Sequence, residues 1–423
     1  MSVKSIKIET LAARAGLLAS VLIFFVCTAF FVRWYFGNSI ASNTDLKEVA
    51  EFAIGLAPGD PQAHYTLAIL SGKIFSPESL AQSLTEHEKA VALAPYDFRV
   101  WLELGRVRER SGDAAGAELA LRKSLELAPN YSEVRWTLGN VLLRRGKTSE
   151  GFAEIRSAAE SDAKYANPAI AIGWQIFDGN LGQVKQNIGN SKQTNFALAL
   201  FLAQQKRFDE AIEIWNALPA EEKKTTFKET AEQLYKEMLA ANKYRDALQI
   251  RSQISSLDAE QSAVGQIVNG GFEEEVKTKD VGVFEWRIAD GAKPQIGFDD
   301  AQKRGGNRSL VIIFNSPDGK DFRSVSQIVA VEAGKNYRFE TFYKSDLKTS
   351  ATLNWEIASA SDGRVLMTSS AILPNSDWTN LKTEFIAANT EAVTIRLARE
   401  ICKSSICPIS GKVWFDDFSL FTN

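Results

Sequence analysis

An alanine–proline pair recurs early in the chain at a nearly constant spacing. The pairs are Ala57-Pro58, Ala94-Pro95 and Ala128-Pro129, and their prolines lie 37 and 34 residues apart. Proline has no backbone N–H and clashes with the preceding helical turn, so each pair marks the end of a helix. A repeat period of this length is typical of helix pairs stacked into a solenoid. The spacing therefore predicts helical repeats.

The unit from Phe98 to Tyr131 resembles a tetratricopeptide repeat. The matching positions are Trp101, Leu104 and Gly105 on the first helix, Ala117, Leu121 and Ser124 on the second, and Pro129 at the end. Small side chains such as Gly105 and Ala117 let two antiparallel helices approach closely, and larger residues fill the seam between them.

Weaker units flank this one, among them a degenerate pair at 166–191. The unit from Ser132 matches except that its tryptophan, Trp136, is displaced by one position, and Leu46 to Pro58 is interpreted as the second helix of a partial unit. The resemblance implies an all-α, tetratricopeptide-like solenoid of five to six helix pairs over residues 44–258.

Repeats of this family bind a peptide or a partner protein on the concave face formed by their first helices. The residues expected to point into that face are Tyr65, Arg106, Arg110, Trp136, Asn140 and Arg144. Arginines beside an asparagine can hold a peptide carboxylate or an acidic segment through charge-assisted hydrogen bonds. The alternative is that the arginines solvate a helix surface and that Trp136 packs between units. His64 and His87 are expected to be packing or surface residues.

An uncharged apolar segment, Ala15 to Val32, precedes the repeats and has 18 residues. That length suffices for a transmembrane helix. A cleaved signal peptide is the alternative, but its apolar region is shorter and ends in small residues, whereas this segment continues into Arg33-Trp34-Tyr35-Phe36. We therefore expect a transmembrane anchor at 15–36.

The charges around this segment predict its orientation. Lys4, Lys7 and Arg14 precede it, whereas only Arg33 follows closely. Positive residues remain on the cytoplasmic side of a membrane. We expect a cytoplasmic tail at 1–14 and the rest of the chain in the periplasm or outside the cell.

After about residue 262 the apolar spacing changes from the helical period to short alternating runs between Gly, Asn, Asp and Pro. This pattern of short alternating runs predicts an all-β domain over 262–423. The predicted strands are Ser309–Phe314, Val325–Val331, Asn336–Tyr343, Thr352–Ile357, Asn380–Phe385, Val393–Ala398 and Lys412–Leu420. Seven or eight strands in a domain of this size suggest a jelly-roll sandwich.

Four segments of this domain resemble carbohydrate-binding modules of families 4 and 9, in the right order from first strand to last. They are Val268-Asn269-Gly270-Gly271-Phe272-Glu273, Gly305-Gly306-Asn307-Arg308-Ser309-Leu310, Val331-Glu332-Ala333-Gly334-Lys335-Asn336-Tyr337 and Val413-Trp414-Phe415-Asp416-Asp417-Phe418-Ser419-Leu420. The resemblance implies a galactose-binding-like jelly roll, and it supports that fold more strongly than it supports sugar binding.

The family often carries a structural calcium that joins the first and last strands. By resemblance, Glu273, Asn307 and Asp416 are the residues expected to supply its oxygen ligands. The alternative is that both carboxylates are strand-end groups satisfied by backbone N–H donors.

Glycan binding requires aromatic rings that stack on pyranose rings and polar side chains that bind the hydroxyls. Trp286 and Trp378, in turn-rich flanks, are the predicted aromatic residues. The polar residues that alternate with apolar ones are expected to line one open sheet face; they are Arg338, Glu340, Asn354, Glu356 and Arg396. A solvated sheet face would show the same pattern.

Composition argues against most enzyme classes and against nucleic acid. The 49 basic and 52 acidic residues provide no cationic field for phosphates. Two histidines and three cysteines leave little material for a zinc cluster or a Ser-His-Asp triad. Glu340 and Glu356 are a candidate carboxylate pair for a glycoside hydrolase, but no apolar pocket is evident beside either acid.

Cys402 and Cys407 are the only cysteines after the predicted anchor. The pair is consistent with a disulfide, half of a metal site or two unrelated thiols, and no other cysteine or histidine in the domain completes a tetrahedral metal site. A disulfide requires an oxidising compartment, as the predicted topology provides.

The sequence thus predicts a membrane-anchored, non-enzymatic scaffold outside the cytoplasm. Its solenoid would dock a protein and its jelly roll would bind a glycan, in the assembly or export of an envelope polysaccharide. The alternative is a protein-only scaffold of a secretion or envelope complex.

Overall fold

The computed structural model describes residues 10–74, 76–254, 263–316, 322–400 and 407–422. They form a helical-repeat region followed by a sandwich of two antiparallel sheets, as the sequence predicts. The α-helices are α1 Leu11–Ser42, α2 Lys47–Leu56, α3 Pro61–Gly72, α4 Pro77–Leu93, α5 Phe98–Arg110, α6 Ala114–Leu127, α7 Ser132–Arg144, α8 Thr148–Ser161, α9 Ala166–Ile176, α10 Leu181–Ile188, α11 Lys192–Gln204, α12 Phe208–Asn216, α13 Ala220–Lys224, α14 Lys228–Ala240 and α15 Tyr244–Ile254.

The chain divides into two compact units, residues 1–194 and 195–423. The second unit therefore contains the last repeats together with the β sandwich, and Tyr244 of α15 donates a hydrogen bond to the Ala360 carbonyl (3.3 Å). The predicted boundary between solenoid and jelly roll, at 258–262, lies outside the described residues.

Helix α1 has an exposed apolar part and a last part that packs against the repeats. It is long and apolar enough to cross a membrane, and the side chains from Leu17 to Phe36 are largely exposed. Its last turns are different, because Gly37 and Ala41 are buried against the following helices. A Cβ atom on Gly37 would lie 2.6 Å from Cβ of Ala57, just beyond α2. Helix α1 is thus also the first helix of the partial unit that the sequence placed at Leu46 to Pro58.

Side-chain caps and the Ala-Pro pairs set the helix boundaries of the repeats. The carboxylates of Asp60, Asp97 and Asp113 accept backbone N–H bonds at the starts of α3, α5 and α6, which satisfies donors that a helix leaves free. Helices α7 and α8 approach closely at Gly139, where an added Cβ would lie 2.9 Å from the Gly151 carbonyl oxygen. Small residues at this seam allow the close approach that the sequence predicts.

The described residues of the sandwich form ten strands in two five-stranded sheets. The strands are β1 Arg287–Ile288, β2 Gln295–Asp299, β3 Ser309–Ser316, β4 Val325–Ala330, β5 Asn336–Thr349, β6 Leu353–Ser359, β7 Val365–Thr368, β8 Asn375–Ile386, β9 Ala392–Arg399 and β10 Ile409–Thr422. The first sheet has the order β1-β4-β9-β6-β7 and the second has the order β2-β3-β10-β5-β8. The seven predicted strands are all present, and β1, β2 and β7 are additional.

The core lies between the two sheets. Phe339 of β5, Trp355 of β6 and Phe415 of β10 are fully buried there, with Phe272 from the segment before β1. Because side chains alternate along a strand, the residues between these core positions point away from the core on the outer face of their own sheet.

Candidate functional sites

The arginines predicted for the concave face are already engaged by the protein itself. Arg106 forms ion pairs with Glu103 (2.5 Å) and with Glu133 of the next first helix (2.6 Å). Arg144 pairs with Glu109, and Arg110 Nη1 donates to the Gly72 carbonyl (3.2 Å). These contacts link one first helix to the next, so an acidic peptide would have to compete with them.

Trp136 and Asn140 also make internal contacts. The Trp136 ring stacks on Tyr165, with ring centroids 4.9 Å apart, and Asn140 Nδ2 donates to the Trp136 carbonyl (2.8 Å). Trp136 thus packs between units, which was the alternative interpretation. His64 and His87 are buried; His64 Nδ1 lies 2.5 Å from Glu86 Oε2.

Tyr65 lies in a groove on the first-helix surface, which we call the first-helix groove. Its volume is about 270 Å³, and its lining residues are Trp34, Asn38, Asp60, Pro61, Gln62, Tyr65, Ala94, Asp97, Arg99 and Val100. The Asp60 carboxylate is buried and accepts two hydrogen bonds from Asn38 Nδ2 (3.1 Å each). Burial raises the pKa of the Tyr65 hydroxyl, so Tyr65 stays a neutral donor. Among these lining residues, Tyr65 is the one that the sequence predicts for the concave face.

The prediction that five polar residues line one open sheet face is wrong. Arg338 and Glu340 lie on β5 in the second sheet, whereas Asn354 and Glu356 on β6 and Arg396 on β9 lie in the first. Since both sets alternate with core residues, they occupy opposite outer faces of the sandwich. They also form internal pairs, Arg338 with Glu340 (2.7 Å) and Arg396 with Glu356 (2.7 Å). Asn354 is buried.

Trp286 is not a surface platform either. It is 2% exposed, packs against Phe272, Trp355 and Phe418, and donates its indole N–H to the Asn269 carbonyl (3.1 Å). A residue in a turn-rich segment can fold back over the core, as Trp286 does. Trp378, in β8, is partly exposed.

A different surface of the sandwich forms a groove of about 710 Å³, which we call the second-sheet groove. Its lining residues are Asp299, Ala301, Gln302, Lys344, Ser345, Asp346, Asn375, Ser376, Asp377, Lys412 and Trp414. They come from the end of β2 and the segment after it, and from the adjacent strands β10, β5 and β8 of the second sheet. Trp378 follows the lining residue Asp377 directly.

Trp414 is the aromatic lining residue of the second-sheet groove, and only 8% of its surface is exposed. Its indole N–H donates to Asp299 Oδ2 (2.8 Å), and this hydrogen bond lowers the pKa of Asp299 and fixes the ring. The Lys344 ammonium pairs with Asp377 (3.0 Å) across β5 and β8, and Lys412 lies opposite Asp346 across β10 and β5. The alternation of β10, with Val413 and Phe415 in the core, is the signal that would have placed Lys412 and Trp414 on the outer face.

The three residues predicted to bind calcium meet at one end of the sandwich. The Glu273 carboxylate accepts the backbone N–H and the side-chain amide of Asn307 (2.9 Å each), and these bonds lower its pKa. Asp416 is buried, which raises its pKa, and it accepts the backbone N–H groups of Arg304 (2.9 Å) and Gly305 (3.2 Å). In the described part of the chain, no three His, Cys, Asp or Glu residues converge as a metal site. A calcium ion would have to displace these N–H donors, so the donor set does not fit the ion as it stands.

The predicted disulfide joins Cys402 and Cys407, of which the structure describes Cys407. Cys407 is buried and disulfide-bonded, whereas Cys402 lies outside the described residues. Their pairing stays a prediction. Cys27, in α1, is a free thiol.

Comparisons with known proteins address the two regions separately. No family model matches the chain. The BBSome complex member bbs-4 of Caenorhabditis elegans is 30% identical over 110 residues, which are 26% of this chain and 23% of that protein. The chain thus matches less than a quarter of that relative's length.

Solved structures are similar to each region. A MamA double mutant, RS-1 ArsTM, shares 14% identity and covers 37% of this chain and 90% of its own, with a TM-score of 0.32. A CBM4 structure shares 18% identity and covers 37% of this chain and 99% of its own, with a TM-score of 0.29. TmCBM61, in complex with β-1,4-galactotriose, has 18% identity, coverage of 37% and 96%, and a TM-score of 0.28. Each of these three structures covers 37% of this chain.

Proposed function

We propose that this chain is a membrane-anchored, non-enzymatic scaffold that stands outside the cytoplasm. Its helical repeats dock a partner protein, and its sandwich binds a glycan in the assembly or export of an envelope polysaccharide. Helix α1 supplies the anchor, with the N-terminus in the cytoplasm. The observation that carries the glycan part is the second-sheet groove, where an oriented tryptophan is surrounded by charged and amide side chains.

The chemistry of this groove suits a sugar. A pyranose presents apolar C–H faces, which pack on an aromatic ring, and hydroxyls, which bind carboxylates, amides and ammonium groups. Trp414 provides the small exposed part of its ring (8%), while Asp346, Asn375 and Gln302 provide hydrogen-bonding groups. The groove is open to solvent rather than enclosed, which suits an extended chain of sugars.

The positions of Glu340 and Glu356 do not suit hydrolysis of a glycan. Hydrolysis of a glycosidic bond needs two carboxyl groups on either side of one bond. Glu340 and Glu356 lie on opposite outer faces of the sandwich, and each is held by a basic partner, Arg338 and Arg396. Glu340 and Glu356 therefore cannot act on the same glycosidic bond.

A glycan array with the full chain in detergent tests this proposal. The test variant, Lys344→Ala with Asp377→Ala, removes the ion pair that borders the second-sheet groove. The matched control, Glu356→Ala with Arg396→Ala, removes an ion pair of similar length from the outer face of the other sheet. We expect the groove variant to lose glycan binding and the control variant to keep it. Loss in the control alone would move the site to the first sheet.

The protein-only scaffold is the second candidate, and the array decides between the two. If the wild-type chain binds no glycan, the sandwich serves as a protein-interaction fold. The internal pairing of Arg106, Arg110 and Arg144 supports a partner site in the first-helix groove rather than along those arginines. Replacing Tyr65 and Gln62 by alanine should then weaken recovery of partners from solubilised membranes, and replacing Arg106 and Arg144 should not.

A further inference from the structure

Helix α1 runs without a break from the apolar segment into the repeats. The uncharged stretch ends at Val32, and Gly37 is already buried against the next helix. At about 1.5 Å per residue, that interval is roughly 8 Å of helix. Arg33, the first charged residue, donates from Nη2 to the Gly55 carbonyl at the end of α2 (3.2 Å). If α1 spans the bilayer, the first repeat lies directly on the bilayer surface.

One edge of the repeats faces that surface. Helix α2 runs back along α1, so the loop after it lies beside Trp34 and Asn38, as the bonds from Asn38 to Asp60 show. The next loop with an Ala-Pro pair, at Ala94 to Asp97, lines the same groove as Trp34. The ring of Phe98 contacts that of Tyr131, which follows the third pair, with centroids 4.9 Å apart. The three Ala-Pro loops therefore lie on the edge from which the membrane segment emerges.

Two of these loops present tyrosines to solvent. Tyr96 is 86% exposed and Tyr131 is 44% exposed. Tyrosine is enriched at membrane–water interfaces because its ring is apolar and its hydroxyl is polar. On the opposite edge, the loops of the same units are Ser111-Gly112-Asp113 and Arg145-Gly146-Lys147, which contain no apolar side chain. The preceding loop of that edge does expose an apolar residue, Ile74 (47%), which provides a matched control.

We propose that the Ala-Pro edge rests on the lipid bilayer, with Tyr96 and Tyr131 in the headgroup region. This inference rests on the proposed membrane anchor. The solenoid is then held against the membrane at more than one point, and its first-helix groove opens beside the headgroups. A partner in that groove would approach along the membrane surface.

Fluorescence quenching in vesicles tests the contact. The full chain, with Cys27→Ser, carries one environment-sensitive label at Phe24→Cys, Ile74→Cys, Tyr96→Cys or Tyr131→Cys, attached without reductant. The vesicles contain phosphatidylethanolamine and phosphatidylglycerol with a nitroxide-labelled lipid. We expect the labels at 24, 96 and 131 to lose fluorescence and the label at 74 to keep it. Circular dichroism confirms that each variant retains its helices.

The pattern of quenching separates the two claims. A quenched label at 24 with unquenched labels at 96 and 131 overturns the edge contact and leaves the anchor intact. An unquenched label at 24 overturns the anchor and the edge contact together. Equal quenching at 74 and 96 would show that exposure of an apolar side chain, rather than its place on the Ala-Pro edge, brings it to the lipid.

Discussion

Replacing Gly139 by alanine tests the close helix packing on which the repeats depend. An added Cβ would lie 2.9 Å from the Gly151 carbonyl oxygen, 3.2 Å from the Ile155 backbone nitrogen and 2.7 Å from Ile155 Cγ1. Backbone atoms cannot rotate out of the way as a side chain can, so α7 and α8 must move apart.

The expected effect is a balance of two contributions. Alanine in a helix interior is more favourable than glycine by about 0.5–1 kcal/mol. Overpacking a well-packed seam costs about 1–3 kcal/mol. We expect Gly139→Ala to lower the free energy of unfolding by roughly 1–2 kcal/mol.

Gly55→Ala is the matched control, because Gly55 is also helical and an added Cβ there meets no atom within 4 Å. This variant should gain about 0.5–1 kcal/mol. Gly105→Ala should fall between the two, since the atoms nearest its added Cβ belong to the Leu121 side chain rather than to backbone. Urea unfolding of the full chain in detergent, followed by circular dichroism, gives the order. A Gly139→Ala variant as stable as wild type would refute the packing argument.

Three further predictions concern individual groups. Because N–H donors already occupy the Glu273 and Asp416 carboxylates, we expect chelator and excess calcium to leave the melting temperature unchanged. A gain of roughly 2.7 kcal/mol in stability with calcium at about 100 times its Kd would show instead that the ion displaces these donors. Burial lowers the pKa of His87, so the unfolded chain gains a proton that the folded chain does not as pH falls below about 6.5. The free energy of unfolding should then decrease by up to about 1.4 kcal/mol for each unit by which the pH is lowered. His87→Gln should make this pH dependence weaker in urea unfolding between pH 7.5 and 5.5. Mass spectrometry of the natively expressed protein should find Cys402 and Cys407 linked, and alkylation of both without reductant would contradict the disulfide.

The sequence predicted the repeats well because packing positions recur with the Ala-Pro pairs. It missed the second role of α1, since Gly37 and Ala41 look like any small residues near the end of a membrane segment. It also missed β1, β2 and β7, of which β1 has only two residues and β7 four, too short for an alternating pattern to be recognised.

The candidate site was harder to predict, for a physical reason. The alternation of apolar and polar residues shows which side chains of a strand point away from the core, but it does not show which sheet the strand belongs to. Arg338 and Glu356 were therefore assigned to one face although their strands belong to different sheets. The pairing of Arg106 with Glu133 depends on a contact between successive repeats, and a search for opposite charges one repeat apart would have indicated it.

The central claim is that the outer face of the second sheet binds a glycan. The most direct test is native gel electrophoresis of the full chain, in detergent, through a gel that contains the surface polysaccharide of the source organism. We predict retardation of the wild-type chain and of the Glu356→Ala, Arg396→Ala variant, with normal mobility for the Lys344→Ala, Asp377→Ala variant. Equal mobility of all three chains, with and without the polysaccharide, would contradict the claim.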